Sequence, residues 1–141
     1  MPYKPKSLIA GSTGLVGGML LKDLGSNGEP IVLISRKANQ SMPRNTSEIV
    51  INFENLLSGS FNLNEEIDHV YLCLGKKLFT YELGYMPKRN RDTFKKIDFD
   101  YQLAIAKLAF QNGANSIAIV SAIGAKEGSS NYYFHIKGKL E

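Results

Sequence analysis

Cysteine is almost missing from this sequence, and other soft metal ligands are scarce. Cys73 is the one thiol, which excludes an internal disulfide framework. It fits a reducing compartment, and the cytoplasm is the expected location. His69 and His135 are the two histidines, so ligands for a structural zinc site are too few, and no metal is expected. No apolar run approaches the roughly 18 residues of a membrane span. Lys4 and Lys6 followed by the apolar stretch Leu8–Leu21 superficially resemble a signal peptide. Gly11, Gly14, Gly17 and Gly18 break that stretch, whereas a signal core prefers an unbroken helix. Charge is not concentrated either. The net excess is +4, and no basic run is longer than two residues. Lys76, Lys77, Lys88, Arg89 and Arg91 crowd one region, which reads as a solvated loop and helix start rather than a nucleic-acid face. Repeats and low-complexity tracts are absent.

What is present is an alternation. Its 141 residues suit one domain, 1–141, with a core that needs no staples. Short apolar runs at Ser7–Ala10, Ile31–Ser35, Ile49–Phe53, Val70–Leu74 and Ser116–Val120 read as five strands. Leu15–Leu24 and Arg91–Gln111 read as helices. In the second, Phe94, Ile97, Tyr101, Ile105 and Leu108 recur at helical spacing, and Asn112-Gly113 stops it. Strands without polar alternation are covered on both faces, and strands separated by helices are parallel. The expected fold is therefore α/β, a doubly wound Rossmann-type parallel sheet in the order 3-2-1-4-5. Residues 36–48 and 76–90 read as irregular, the second being basic and aromatic.

Between the first strand and helix stands Gly11-Ser12-Thr13-Gly14-Leu15-Val16-Gly17. In such a GxxGxxG turn the first glycine permits a tight turn. The second lets backbone approach a pyrophosphate, and the third allows close helix–strand packing. The helix N-terminus then offers free N–H groups and a positive dipole end. No Lys-Ser or Lys-Thr follows, so this is not a Walker-type phosphate loop. A tight turn without a ligand is the bland alternative. At the end of the second strand a carboxylate would hold the ribose hydroxyls of NAD. Arg36 stands there instead, 19 residues after Gly17, and a guanidinium favours the 2′-phosphate of NADP over NAD.

Near the C-terminus Tyr133 and Lys137 are spaced i,i+4 and share a face if helical. A nearby ammonium favours a phenolate, which suits a tyrosine to exchange protons. Ser121 closes the fifth strand 12 residues earlier, at a carboxyl strand end where open α/β sheets bind ligands. His135 points off the Tyr133–Lys137 face and reads as structural or exposed.

Together, GSTGLVGG after the first strand, CLG after the fourth, VSA at the fifth and YFHIK beyond resemble the short-chain dehydrogenase/reductase superfamily. The likeness covers essentially the whole chain and points to an atypical NAD(P)-binding branch. It implies an NADP-dependent oxidoreductase that moves hydride between nicotinamide and a carbonyl or alcohol substrate. It implies Ser121, Tyr133 and Lys137 as the catalytic trio. It places Gly11, Ser12, Thr13, Gly14, Leu15, Val16 and Gly17 around the pyrophosphate and Arg36 on the adenosine phosphate. Leu74, Gly75 and Lys137 would face the cofactor ribose. Two departures stand out. The asparagine of the family's fourth helix is matched by Asp98. Family members also run well past the position of Glu141, so the substrate-binding part is expected to be absent. Lys137 lies four residues from the end, where a helix frays unless docked, which puts its hold in question. A catalytically silent NADP-binding module for regulation or protein interaction is the alternative, and two copies could pair through the amphipathic helix as a homodimer.

Overall fold

A computed structural model describes residues 2–141. β1 (Ser7–Ala10), β2 (Ile31–Ser35), β3 (Thr46–Val50), β4 (His69–Leu72) and β5 (Ser116–Ile119) form one parallel sheet in the order β3-β2-β1-β4-β5. This is the topology expected from the sequence. β1 and β2 are buried along their whole length, which explains their unbroken apolar runs. α1 (Leu15–Ser26) covers one face, where Leu21 and Leu24 meet Ile9, Ile31 and Leu33. α2 (Glu54–Leu57) and α5 (Tyr101–Gln111) cover the other, with Leu56, Ile105 and Ala109 packed on Leu8, Val32, Val70 and Leu72.

The chain runs outward from β1 through β2 to β3, then returns across the sheet to β4. Connections at β1 therefore diverge in opposite directions, and a crevice opens above the carboxyl ends of β1 and β4.

β3 sits three residues earlier than the run Ile49–Phe53 suggested. It is an edge strand with one neighbour, its register is set by Ile31 against Thr46, and an edge tolerates the polar Thr46-Ser47-Glu48 that hid it. Residues 76–90 are less irregular than expected. They hold α3 (Thr80–Gly84) and the first turn of α4 (Lys88–Lys95). α4 continues through a π-helical turn, Lys96–Asp100, into α5, so the helix read as Arg91–Gln111 begins earlier and is not uniform. In that wide turn the Gln102 amide donates to the Asp98 carbonyl at 3.0 Å. α6 (Tyr132–Leu140) starts at Asn131, whose side chain accepts from the Phe134 N–H.

Candidate cofactor and catalytic site

The glycine turn is built by close backbone packing. Gly11 has φ +90°, and a Cβ there would collide with the Cys73 carbonyl. A Cβ on Gly17 would collide with the Gly11 carbonyl. The turn is closed by the Gly14 N–H donating to Gly11 at 3.2 Å, and β4 is tied to it by the Cys73 N–H donating to Ala10 at 2.8 Å. Gly14 differs. A Cβ there would meet only the Gly11 oxygen, at an ordinary 3.5 Å, so the protein itself does not demand glycine. α1 begins at Gly14 with no side-chain cap and no acid in its first turn. Its first N–H groups are thus left to an outside acceptor.

In front of this turn lies a cleft of about 390 Å³ lined by Gly11, Ser12, Thr13, Ser35, Arg36, Lys37, Phe53 and Leu74. It joins a smaller one of about 150 Å³ that runs past Gly14, Cys73 and Gly75 to Ile97 and Tyr101. Every residue expected to bind the dinucleotide except Leu15, Val16, Gly17 and Lys137 lines one of the two clefts. Leu15 and Val16 expose their side chains at the helix start, and Gly17 is buried behind the turn. Sequence reading missed Phe53, Tyr101 and Lys37. Phe53 was placed inside a strand, but it lies past β3 with its ring edge-on to Tyr101 at 5.4 Å. Tyr101 read as a core position. Its hydroxyl donates to Glu54 at 2.7 Å, and burial and that carboxylate push the phenol up. Lys37, beside Arg36, was legible but not singled out.

At the other end Lys137 does not fray. Its ammonium donates to Asp98 Oδ1 at 2.6 Å, and the two side chains are 7% and 2% exposed. The Lys76 N–H donates to the other Asp98 oxygen at 3.0 Å, tying the loop after β4 to α6. Burial pushes the Asp98 carboxyl up, and Lys137 and the Lys76 N–H oppose that only in part. α6 is docked further by Gly138, where a Cβ would strike the backbone of Lys126 and Glu127, and by the His135 ring on the Glu127 carbonyl. His135 is thus structural.

Tyr133 and Lys137 do share a face, the ammonium lying 5.8 Å from the ring centre. The ring also packs on Phe94 and Phe134, at 5.6 and 5.4 Å. Ser121 is half-buried after β5, but its hydroxyl donates to the Glu141 carboxylate rather than meeting Tyr133. In the basic region Lys77, Lys88 and Arg89 are exposed, whereas Lys76 and Arg91 are engaged within the protein. Lys76 lies 3.9 Å from the Glu82 carboxylate, and Arg91 donates to the Met86 carbonyl and covers the Tyr85 and Tyr132 rings. Among the described residues no helix is long and apolar enough to cross a membrane, and none of the His, Cys, Asp and Glu side chains group as a metal site.

No family model matches the chain. Curated relatives do. It is 31% identical to "Protein FMP52-1, mitochondrial" of Scheffersomyces stipitis over 141 aligned residues, covering 96% of this chain and 58% of that one. It is 31% identical to "Protein HTATIP2" of Rattus norvegicus over 140 residues, covering 94% and 53%. The chain therefore spans little more than half the length of these relatives. Among solved structures, a short-chain dehydrogenase family protein from Francisella tularensis superposes with TM-score 0.73 at 15% identity, over 98% of this chain and 60% of that one. A short-chain dehydrogenase from Leptospira borgpetersenii with bound NAD+ gives 0.73 at 15%, over 97% and 61%. The likeness in sequence and the likeness in fold agree with the motifs: this chain has the Rossmann-type fold of the short-chain dehydrogenases it superposes on, and it is similar in sequence to HTATIP2 and FMP52.

Proposed function

We propose that residues 1–141 form one dinucleotide-binding domain that takes NADP in preference to NAD. The observation that carries this is the pairing of an uncapped helix start at Gly14 with a cleft whose β2 end presents Arg36 and Lys37 and no carboxylate. The pyrophosphate would sit on the N–H groups of Leu15, Val16 and Gly17, and the 2′-phosphate on Arg36. The Leptospira neighbour, solved with bound NAD+, supports a nicotinamide dinucleotide without deciding between the two. Titration with NADPH and NADH, followed by ligand fluorescence, tests it. NADPH should bind tighter. Arg36→Ala should weaken NADPH about tenfold or more, the worth of a charge-assisted pair, and leave NADH nearly unchanged. Equal affinities in the parent chain would overturn the NADP reading.

The activity we propose is that of an oxidoreductase acting on a carbonyl or alcohol. The bound nicotinamide would supply or accept the hydride. Tyr133 would exchange the proton with the substrate oxygen, Ser121 would orient that oxygen, and Lys137 would favour the phenolate. Tyr133→Phe should lower NADPH turnover, assayed with a panel of aldehydes and ketones, by at least about 100-fold while NADPH binding persists. A second reading, a silent NADP-binding module, is favoured by one observation: Ser121 is engaged with Glu141 instead of facing Tyr133. NADPH binding without turnover across that panel would support it. We place the protein in the cytosol on its lone free thiol; the four FMP52 relatives carry the word mitochondrial in their names, and imaging of a tagged full-length protein decides.

A further inference from the structure

The cleft wall that carries Arg36 is held from behind. Asn39 lies three residues past Arg36, and its side-chain amide donates to the Ser12 hydroxyl at 3.3 Å and to the Ser35 hydroxyl at 3.4 Å. The same amide donates to Glu48 on β3, and the Asn39 backbone N–H donates to both oxygens of that carboxylate, at 3.0 and 3.2 Å. One side chain thus joins the glycine turn, the end of β2 and the edge strand. Ser12 and Ser35 line the cleft, whereas Asn39 and Glu48 do not. Burial raises the Glu48 carboxyl, but the Asn39 and Ser35 bonds outweigh it and hold the group below the usual carboxylate range. It is therefore ionised at neutral pH, with both oxygens committed to Asn39 rather than open to a ligand.

We propose that Asn39 and Glu48 are positioning residues that set dinucleotide choice, by holding the Arg36–Lys37 segment at the cleft mouth before a 2′-phosphate arrives. The proposal rests on the cofactor reading above. Residues 36–38 are pinned at both ends, by β2 pairing on one side and by the Asn39–Glu48 clasp on the other. Fixing a loop in advance removes an ordering cost that binding would otherwise bear. That gain goes to a ligand that uses Arg36, so NADPH benefits and NADH does not.

A plain electrostatic role for Glu48 has the opposite sign. A carboxylate close to a phosphate site repels the phosphate, so its removal would tighten NADPH. The test is therefore a pair of variants, Glu48→Ala and Asn39→Ala, each titrated with NADPH and NADH and checked for folding by thermal melting. We expect NADPH to weaken about tenfold in Glu48→Ala and about threefold in Asn39→Ala, which loses the side-chain bonds to Ser12, Ser35 and Glu48 but keeps the backbone bonds to Glu48, with NADH within about twofold in both, so that the preference ratio falls. NADPH affinity that is unchanged or tighter in a folded variant overturns the clasp and leaves the cofactor reading standing. A parent chain that binds neither dinucleotide overturns both. If Glu48→Ala melts because β3 loses its hold, Asn39→Ala, a loop change that leaves the sheet intact, decides.

Discussion

Asp98→Ala is expected to destabilise the domain by about 3–5 kcal/mol, one of the two largest effects anticipated here. The loss is not the value of the ion pair. It is the cost of leaving the Lys137 ammonium buried with no counter-charge, and of orphaning the Lys76 N–H. Asp98→Asn keeps an acceptor but not the charge, and should fall between the parent and alanine. The double change Asp98→Ala with Lys137→Met removes both charges and should be less damaging than Asp98→Ala alone, which a double-mutant cycle measured by denaturant unfolding would reveal. The single change Lys137→Met adds a pH signature. Burial already pushes the Asp98 carboxyl up, and this substitution removes the lysine that opposes it. A carboxyl whose folded-state pKa is raised favours the protonated form. Stability is then present at low pH and is lost as pH rises from the unfolded toward the folded value. The variant should therefore be closer to the parent at pH 5 than at pH 8. A loss below about 1 kcal/mol for Asp98→Ala would mean that Lys137 reaches water easily and that α6 is not anchored there.

Asp98 also shows where sequence reading stops. The central strands were legible because burial on both faces leaves runs such as Ile31–Ser35 with no polar break. The glycine turn was legible because backbone contacts demand glycine at positions 11 and 17, and such contacts leave a sharp mark on sequence. Tyr133 and Lys137 were legible because one helical turn joins them. The partner of Lys137 was not, since it lies 39 residues away and only the packing of α6 on the π-helical turn brings it near. The register of β3 was hidden for a different reason. On an edge strand the polar Thr46-Ser47-Glu48 costs little, so the apolar signal drifted toward Ile51 and Phe53, which follow the strand. Glu48 was invisible as a functional candidate for the same reason, because its meaning depends on Asn39 folding back over the sheet edge. The trio implied by resemblance is brought together only in part. Lys137 is under Tyr133, while Ser121 turns to Glu141.

The glycines offer the other large effect, and they separate folding from binding. Gly17→Ala should cost about 3 kcal/mol or more, because the new Cβ meets the rigid Gly11 carbonyl rather than a side chain that can swing away. Gly11→Ala should behave likewise, with the left-handed φ of +90° adding strain. Both are read by thermal melting without any ligand. Gly14→Ala is the informative contrast. Its backbone is already in the extended region that alanine adopts freely, at φ −79° and ψ 173°, and the nearest protein atom leaves room. The fold should survive with a melting temperature within a few degrees of the parent, roughly what a change of 0.5 kcal/mol gives. Its methyl group would nevertheless stand at the start of α1, on the cleft that Gly14 lines, where the proposed pyrophosphate would come close to backbone. NADPH and NADH should therefore both weaken by about tenfold or more, unlike in the Arg36, Asn39 and Glu48 variants, where only NADPH suffers. If Gly14→Ala binds both as the parent does, the pyrophosphate does not rest on this turn, since nothing else in the fold gives position 14 a reason to reject a methyl group.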